Sequence, residues 1–271
     1  MKFRIWLLLG AAFSVAVPIA LVSFRSPSHD RDWKAEYAVL PKAEFAGDSV
    51  TIRNIRNFSY TDDGAIREAS YYDETYDIST LTSIWYGISH FYGYGFAHTF
   101  LSFGFEGDKY VTISVEARQK VGQSYGPIAG LLRNYELIYV IGDERDIIGL
   151  RTHIRSERVY LYKIIAGKQA ATEVFLGMLN SVNEIYERPR FYNTLTDNCT
   201  TNLLKYSKRL SLFDRLFNYK IILPGYSDEL AYDLGIIAND RPLADIRQQA
   251  RINPNGIAIN SPDFSLRIRQ P

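Results

Sequence analysis

Up to Ile165 this sequence is punctuated by short runs rich in β-branched and aromatic residues, and beyond it the apolar positions take up the spacing of an α-helix. That change of period limits the chain to a sheet followed by helices that cover it. The runs "VTIRNIRNFSY", "EASYYDETYDI" and "LTSIWYGIS", bounded by "TDDGA" and "DIST", read as strands. "AHTFLSFGF" and "KYVTISVEA" flank "EGD", a short connection containing Gly107, which predicts an antiparallel hairpin. "ELIYVIGD", "IIGLR" and "RVYLYKII" add three further strand candidates. Then Ala171, Phe175, Met178, Leu179, Val182, Ile185 and Tyr186 fall on one face of a helix that runs until Pro189. In "TDNCTTNLLKYSKRL" Asp197 or Asn198 is placed to cap a second helix, with Cys199 in its first turn and Leu203, Leu204 and Leu210 free to pack inward. The expected fold is α+β, an antiparallel sheet packed on helices with the cysteine at a helix N-terminus.

The N-terminus bears on compartment. Lys2 and Arg4 precede twenty uncharged residues from Ile5 to Phe24, and Arg25 and "SPSHDRD" follow. Such a run reaches the roughly 20 residues that span a bilayer, and no A-x-A site follows it. It therefore reads as an uncleaved signal anchor over 1–25 with everything later outside the cytoplasm; Pro18, which weakens a spanning helix, favours the alternative of a cleaved export signal. Residues 26–48, broken by Pro27, Pro41 and Gly47, read as a tether and lead-in with a short helix around Trp33 to Tyr37. The remainder, 49–271, is expected to be one extracytoplasmic domain with a C-terminal extension, since a chain that is 46% hydrophobic can bury a large core. A formal net charge of +1 gives no field that would gather nucleic acid, so none is expected as a partner.

Export sharpens the meaning of Cys199, the single cysteine of the chain. In an oxidising compartment structural cysteines come in pairs, so a solitary thiol suggests chemistry, set against the plain alternative of a small buried hydrophobe. The N–H groups and partial positive charge at a helix start lower a thiol pKa and can hold an oxyanion; Asp197 nearby acts in the opposite direction unless a cap or hydrogen bond engages it. A thiol nucleophile needs a base. Of the four histidines, His29 in the tether and His153 in the charged "LRTHIRSER" turn are expected in solvent, and His90 ends a strand before the flexible "FYGYGFA". His98 opens an alternating strand and is held rigidly, which makes it the candidate base. Across the hairpin, Glu116 in "ISVEAR" lies near the antiparallel partner position of His98, where its carboxylate is expected to accept a hydrogen bond directly from the ring. The competing role for Glu116 is a pair with Arg118 or a solvated strand end.

The segments "AHTFLSFGF", "ISVEARQK", "YELIYVIGDERD" and "YNTLTDNCTTNL", in this order, resemble the Lnb N-terminal periplasmic domain family, from about Asp32 to at least Tyr206. The resemblance implies the circularly permuted branch of the papain-like fold, in which the histidine strand precedes the cysteine helix. It places the family's cysteine on Cys199 and its histidine on His98, and strand geometry adds Glu116 as the polar third member. It implies acyl transfer through a Cys199 thioester on a membrane lipid or lipoprotein, with no cofactor or metal. The expected location is the periplasm, held to the inner membrane by the N-terminal helix. Related lipoprotein N-acyltransferases carry further membrane-spanning helices after this domain, which this sequence lacks, so the acyl donor and acceptor stay open. The aromatic run Phe91 to Phe96 is placed to meet an acyl chain or to fill the core. Two other functions compete: a cysteine peptidase or amidase of the envelope, with water as acceptor, and a non-catalytic envelope binding module. The joint presence of Cys199 and His98 speaks against the last.

Overall fold

The computed structural model of the protein describes residues 24–206 and 218–270. The chain first forms a short helix α1 (Ala35–Ala38), then β1 (Lys42–Ala46), β2 (Ser49–Arg56), β3 (Ser59–Tyr60), β4 (Ile66–Glu68) and β5 (Tyr71–Asp77). Three long strands follow, β6 (Leu81–Tyr92), β7 (Phe96–Phe105) and β8 (Lys109–Arg118), then helix α2 (Pro127–Leu131) and β9 (Glu136–Gly142). A π-helix (Arg145–Ile154) leads to β10 (Arg158–Lys163) and the helices α3 (Lys168–Glu187) and α4 (Cys199–Leu204). Beyond the second gap lie α5 (Tyr219–Ile222), α6 (Ser227–Asp233), α7 (Leu243–Ala250) and α8 (Phe264–Arg267).

Eight strands make one sheet in the order β1-β2-β9-β8-β7-β6-β10, with β5 also paired to β2. Every pairing is antiparallel except β2 with β9, which meet in parallel at Arg56 and Gly142. The central hairpin turns where expected: Gly107 and Asp108 both adopt positive φ, at 76° and 58°, the left-handed conformation that a glycine and an aspartate accept most readily. Alternation along β7 then assigns its faces. Phe103 and Phe105 point to α3 and hold the Phe175 ring at centroid distances of 4.9 and 5.3 Å. Phe100 and Ser102 point the other way, to a layer built from the π-helix and the C-terminal residues, where Phe100 packs with Ile148 and Phe264 and Ser102 takes a bond from Arg269. The sheet is thus covered by helices on both faces, and the architecture is α+β. The expected stripe on α3 is buried from Ala171 to Ile185; Tyr186, at the end of the helix, is the exception and stays exposed.

Three expectations change. "IIGLR" is not a strand but lies inside the π-helix, whose first turn is closed by Ile147 N–H to Asp143 C=O and whose last by Arg155 N–H to Leu150 C=O. Ile147, Ile148 and Leu150 are all buried, each in a different apolar cluster, and so short an apolar run has no period that separates a buried strand from a buried helix. The segment read as tether and lead-in packs on the body: β1 pairs with β2 as an edge of the sheet, and Trp33 bridges to Lys120 beneath the Arg118 guanidinium, 4.1 Å from the ring centre. His29 is not solvated, for its Nε2–H donates to Ile185 C=O at 2.8 Å and its Nδ1 lies 3.2 Å from Arg118. The run expected to anchor the chain, Ile5 to Phe24, lies outside the described residues but for Phe24; among the described residues no helix is long and apolar enough to cross a membrane.

Candidate active site

Helix α4 begins where its sequence demands. Asn198 takes an extended conformation and its side chain accepts from Thr201 N–H at 2.9 Å, while the Thr201 hydroxyl accepts from Asn198 N–H at 2.9 Å, a reciprocal capping box. Cys199 is therefore the first helical residue, and its own N–H and that of Thr200 have no carbonyl partner within the helix. Asp197 does not face the thiol unengaged. Its carboxylate accepts from Asn202 Nδ2 at 2.6 Å and lies 4.0 Å from Arg190. The buried hydroxyls of Thr99 and Thr200, 3.3 Å apart, tie the helix start to β7, one residue beyond His98.

His98 is positioned by the hairpin. Phe100 stands opposite Ser114, and the same register carried two residues further sets His98 opposite Glu116. The two side chains do not bond directly: His98 Nε2 is 3.6 Å from Glu116 Oε1, an ion-pair distance too long for a hydrogen bond. Ser114 stands between them, its Oγ 2.6 Å from His98 Nε2 and 2.8 Å from Glu116 Oε1. The expected direct bond is thus a relay. A hydroxyl has one proton, and a carboxylate accepts only, so Ser114 donates to Glu116 and must accept from the ring. That fixes the Nε2–H tautomer of neutral His98 and leaves Nδ1 as the ring nitrogen with a free lone pair for the thiol proton.

Glu116 is held from two further directions. Arg151 of the π-helix donates to Oε1 at 3.1 Å, and Tyr37 of α1 donates its hydroxyl to Oε2 at 3.1 Å. Burial would raise this carboxyl; the charges of His98, Arg151 and Arg56 and the Ser114 bond outweigh it and hold the group well below the usual carboxylate range. The same competition acts on Cys199, which is 6% exposed. Burial pushes the thiol up from its ordinary 9.0, but hydrogen bonding to His98, the charge of that ring and bonds to Thr99 bring it down to about 7.

Cys199, His98 and Glu116 line one cavity of about 320 Å³. Phe91, Phe96, Tyr125, Tyr192 and Ile222 give it apolar walls, and Arg155 and Glu157, 3.9 Å apart, a charged end. The other histidines are elsewhere and are used structurally. His90 is buried and donates Nδ1–H to Tyr94 C=O at 2.9 Å, fixing the hairpin tip. His153, expected at the surface, is partly buried with Nε2 2.8 Å from Ile257 C=O. Neither alternative role for Glu116 occurs: Arg118 turns away to donate to the carbonyls of Tyr37 and Ala38, and the Glu116 side chain is only 13% exposed. Ser114 was legible in principle, because Ser114 and Glu116 are polar residues two apart on one face of an otherwise apolar strand. Tyr37 and Arg151 carry no such signal, as both come from segments whose structure was read differently.

The family model of the Lnb N-terminal periplasmic domain matches residues 67–219, just over half the chain, and the match includes His98, Ser114, Glu116, Arg151 and Cys199 but not Tyr37. No curated protein and no solved structure matches the chain.

Proposed function

The chain belongs to the Lnb N-terminal periplasmic domain family, and from that premise and the chemistry of the cleft we propose that it is a thiol-dependent acyl-transfer enzyme of the cell envelope, working through a thioester on Cys199. The observation that carries this reading is the relay His98–Ser114–Glu116, whose His98 and Glu116 line the same cavity as Cys199 and whose ring lowers the pKa of that thiol. Nδ1 of His98 takes the thiol proton, and the thiolate attacks the carbonyl carbon of an ester or amide. The N–H groups of Cys199 and Thr200, which have no carbonyl partner within the helix, suit the oxyanion that forms. The His98 imidazolium then protonates the leaving alcohol or amine, and the C–S bond of the thioester remains. An amine or water, deprotonated by His98, attacks that thioester and releases the thiol.

Glu116, through Ser114, stabilises the imidazolium that exists between these steps. Arg151 serves the same end indirectly: it costs some of that stabilisation through its own charge but keeps Glu116 ionised. The order of the elements, a histidine strand before a cysteine helix with both facing one cleft, supports the permuted papain-like reading of the fold. The apolar walls favour an acyl chain as the group transferred. A peptidase or amidase would share every step to the thioester and differ in taking water as acceptor.

Intact-mass measurement of the full chain after exposure to phospholipid tests the proposal. We expect an added acyl mass that hydroxylamine removes, absent from Cys199→Ala and reduced on the order of 10²-fold or more in His98→Ala. A folded protein whose Cys199 stays unmodified by both phospholipid and acylated peptide overturns it.

A further inference from the structure

Large apolar side chains left in water are concentrated around the mouth of the cleft. At the β6–β7 hairpin Phe91, Tyr92 and Phe96 are exposed, Tyr92 at 75%; on and just after α2, Ile128, Leu131 and Leu132 are exposed, Ile128 at 74%. Both elements reach the cavity, the hairpin through Phe91 and Phe96 and the helix through Pro127. Tyr92 and Ile128 do not line it and have no role in holding a substrate there. A rim of this kind would be a liability on a protein surrounded only by water.

The path of the chain says what covers it. The uncharged run that begins at Ile5 enters the described structure at Phe24, which is 87% exposed, and Arg25 then donates to Leu132 C=O at 3.2 Å and to Asn134. The described chain therefore starts beside the α2 rim, directly after the most apolar segment of the sequence. Charge agrees: Arg25 at this rim and Arg158, which donates to Gly93 C=O at 3.0 Å on the hairpin tip, are both exposed cations. Apolar side chains flanked by arginines match the interface of an anionic bilayer.

We propose that the hairpin tip and α2 form a docking surface that seats the mouth of the cleft on an anionic phospholipid bilayer, so that an acyl lipid enters the cavity without crossing water. The purpose of the surface rests on the acyl-transfer reading, but the docking does not, and it is measured with the thiol removed. Full-length Cys199→Ser protein, reconstituted in phosphatidylglycerol-containing vesicles, would carry a fluorophore on a new cysteine, Tyr92→Cys, Ile128→Cys or Leu266→Cys. Leu266 faces the cavity that Lys109 lines, at the far end of the β7–β8 hairpin, and is the control. Lipid with a nitroxide on its acyl chain should quench most of the fluorescence at 92 and 128 and little at 266. No quenching at 92 and 128, or equal quenching at all three, would overturn the proposal, as would shielding that appears only as protein density rises and so reports a second copy. With Cys199 restored, the double variant Tyr92→Glu, Ile128→Glu should lose on the order of 10-fold or more in acylation from vesicle lipid, and be unchanged toward a water-soluble ester such as p-nitrophenyl butyrate. Loss toward both donors would contradict docking. Absence of acylation from either donor in the unsubstituted protein would instead refute the acyl-transfer reading, with the quenching result still deciding the docking.

Discussion

Ser114 decides how His98 and Glu116 cooperate. With 3.6 Å between ring nitrogen and carboxylate, neither orients the other by itself; a fully buried hydroxyl in contact with both closes the gap. Ser114→Ala should therefore preserve the strand yet free the imidazole from its tautomer. We expect Cys199 acylation to slow about 10- to 100-fold, the range found when the partner that orients a histidine is removed. Ser114→Thr, which keeps the hydroxyl, should recover part of the rate, and recovery is the readout that a purely structural role would not give. Much of this arrangement was legible in the residues. A lone thiol behind a capping sequence, a histidine opening an alternating strand and an acid across the hairpin are local patterns. The serine between them was not, because whether a carboxylate reaches an imidazole directly depends on ångström-scale twist that no alternation encodes.

At the scale of elements the π-helix carries the most weight, since it brings Arg151 to Glu116 and Asp146 to Arg56. Asp146 is fully buried and accepts from Arg56 Nε and Nη2 at 2.7 and 2.9 Å, from Phe58 N–H at 3.0 Å and from the Tyr60 hydroxyl at 2.8 Å. One carboxylate thus fixes the end of β2, the start of β3 and the first turn of the π-helix. Asp146→Ala would strand a buried guanidinium, and unfolding by denaturant should show a loss of about 3–5 kcal/mol, as for other buried pairs broken on one side. A loss below about 1 kcal/mol would show that Arg56 finds other partners, such as Glu36 C=O, to which it already donates at 2.9 Å. The β7–β8 hairpin, the long helix and the cysteine helix were all readable from period and turn residues. The π-helix was not, for its apolar residues are buried on several sides and display no face.

Across the whole molecule the sheet order β1-β2-β9-β8-β7-β6-β10 is what makes the site. It places the histidine strand inside the sheet, under α4 on one side and the π-helix on the other, so the base receives a nucleophile from one layer and a charged clamp from the opposite one. The pairing of β7 with β8 was expected from the short connection at Gly107, and it forms. The parallel contact of β2 with β9 and the return of α1 and Tyr37 to the site join distant segments, and no local pattern could announce them. The meeting of Cys199 with His98 is the most consequential of these long-range joins, and the pH dependence of Cys199 alkylation by iodoacetamide measures it directly. The thiolate fraction rises with pH through the thiol pKa, so the rate should climb with a midpoint at about 7, below the ordinary 9.0. In His98→Asn the lowering contacts with the ring are gone while burial remains, and the midpoint should move up to 9.0 or beyond. A midpoint near 9.0 in the unsubstituted protein, or one that His98→Asn leaves in place, would contradict the pairing of nucleophile and base.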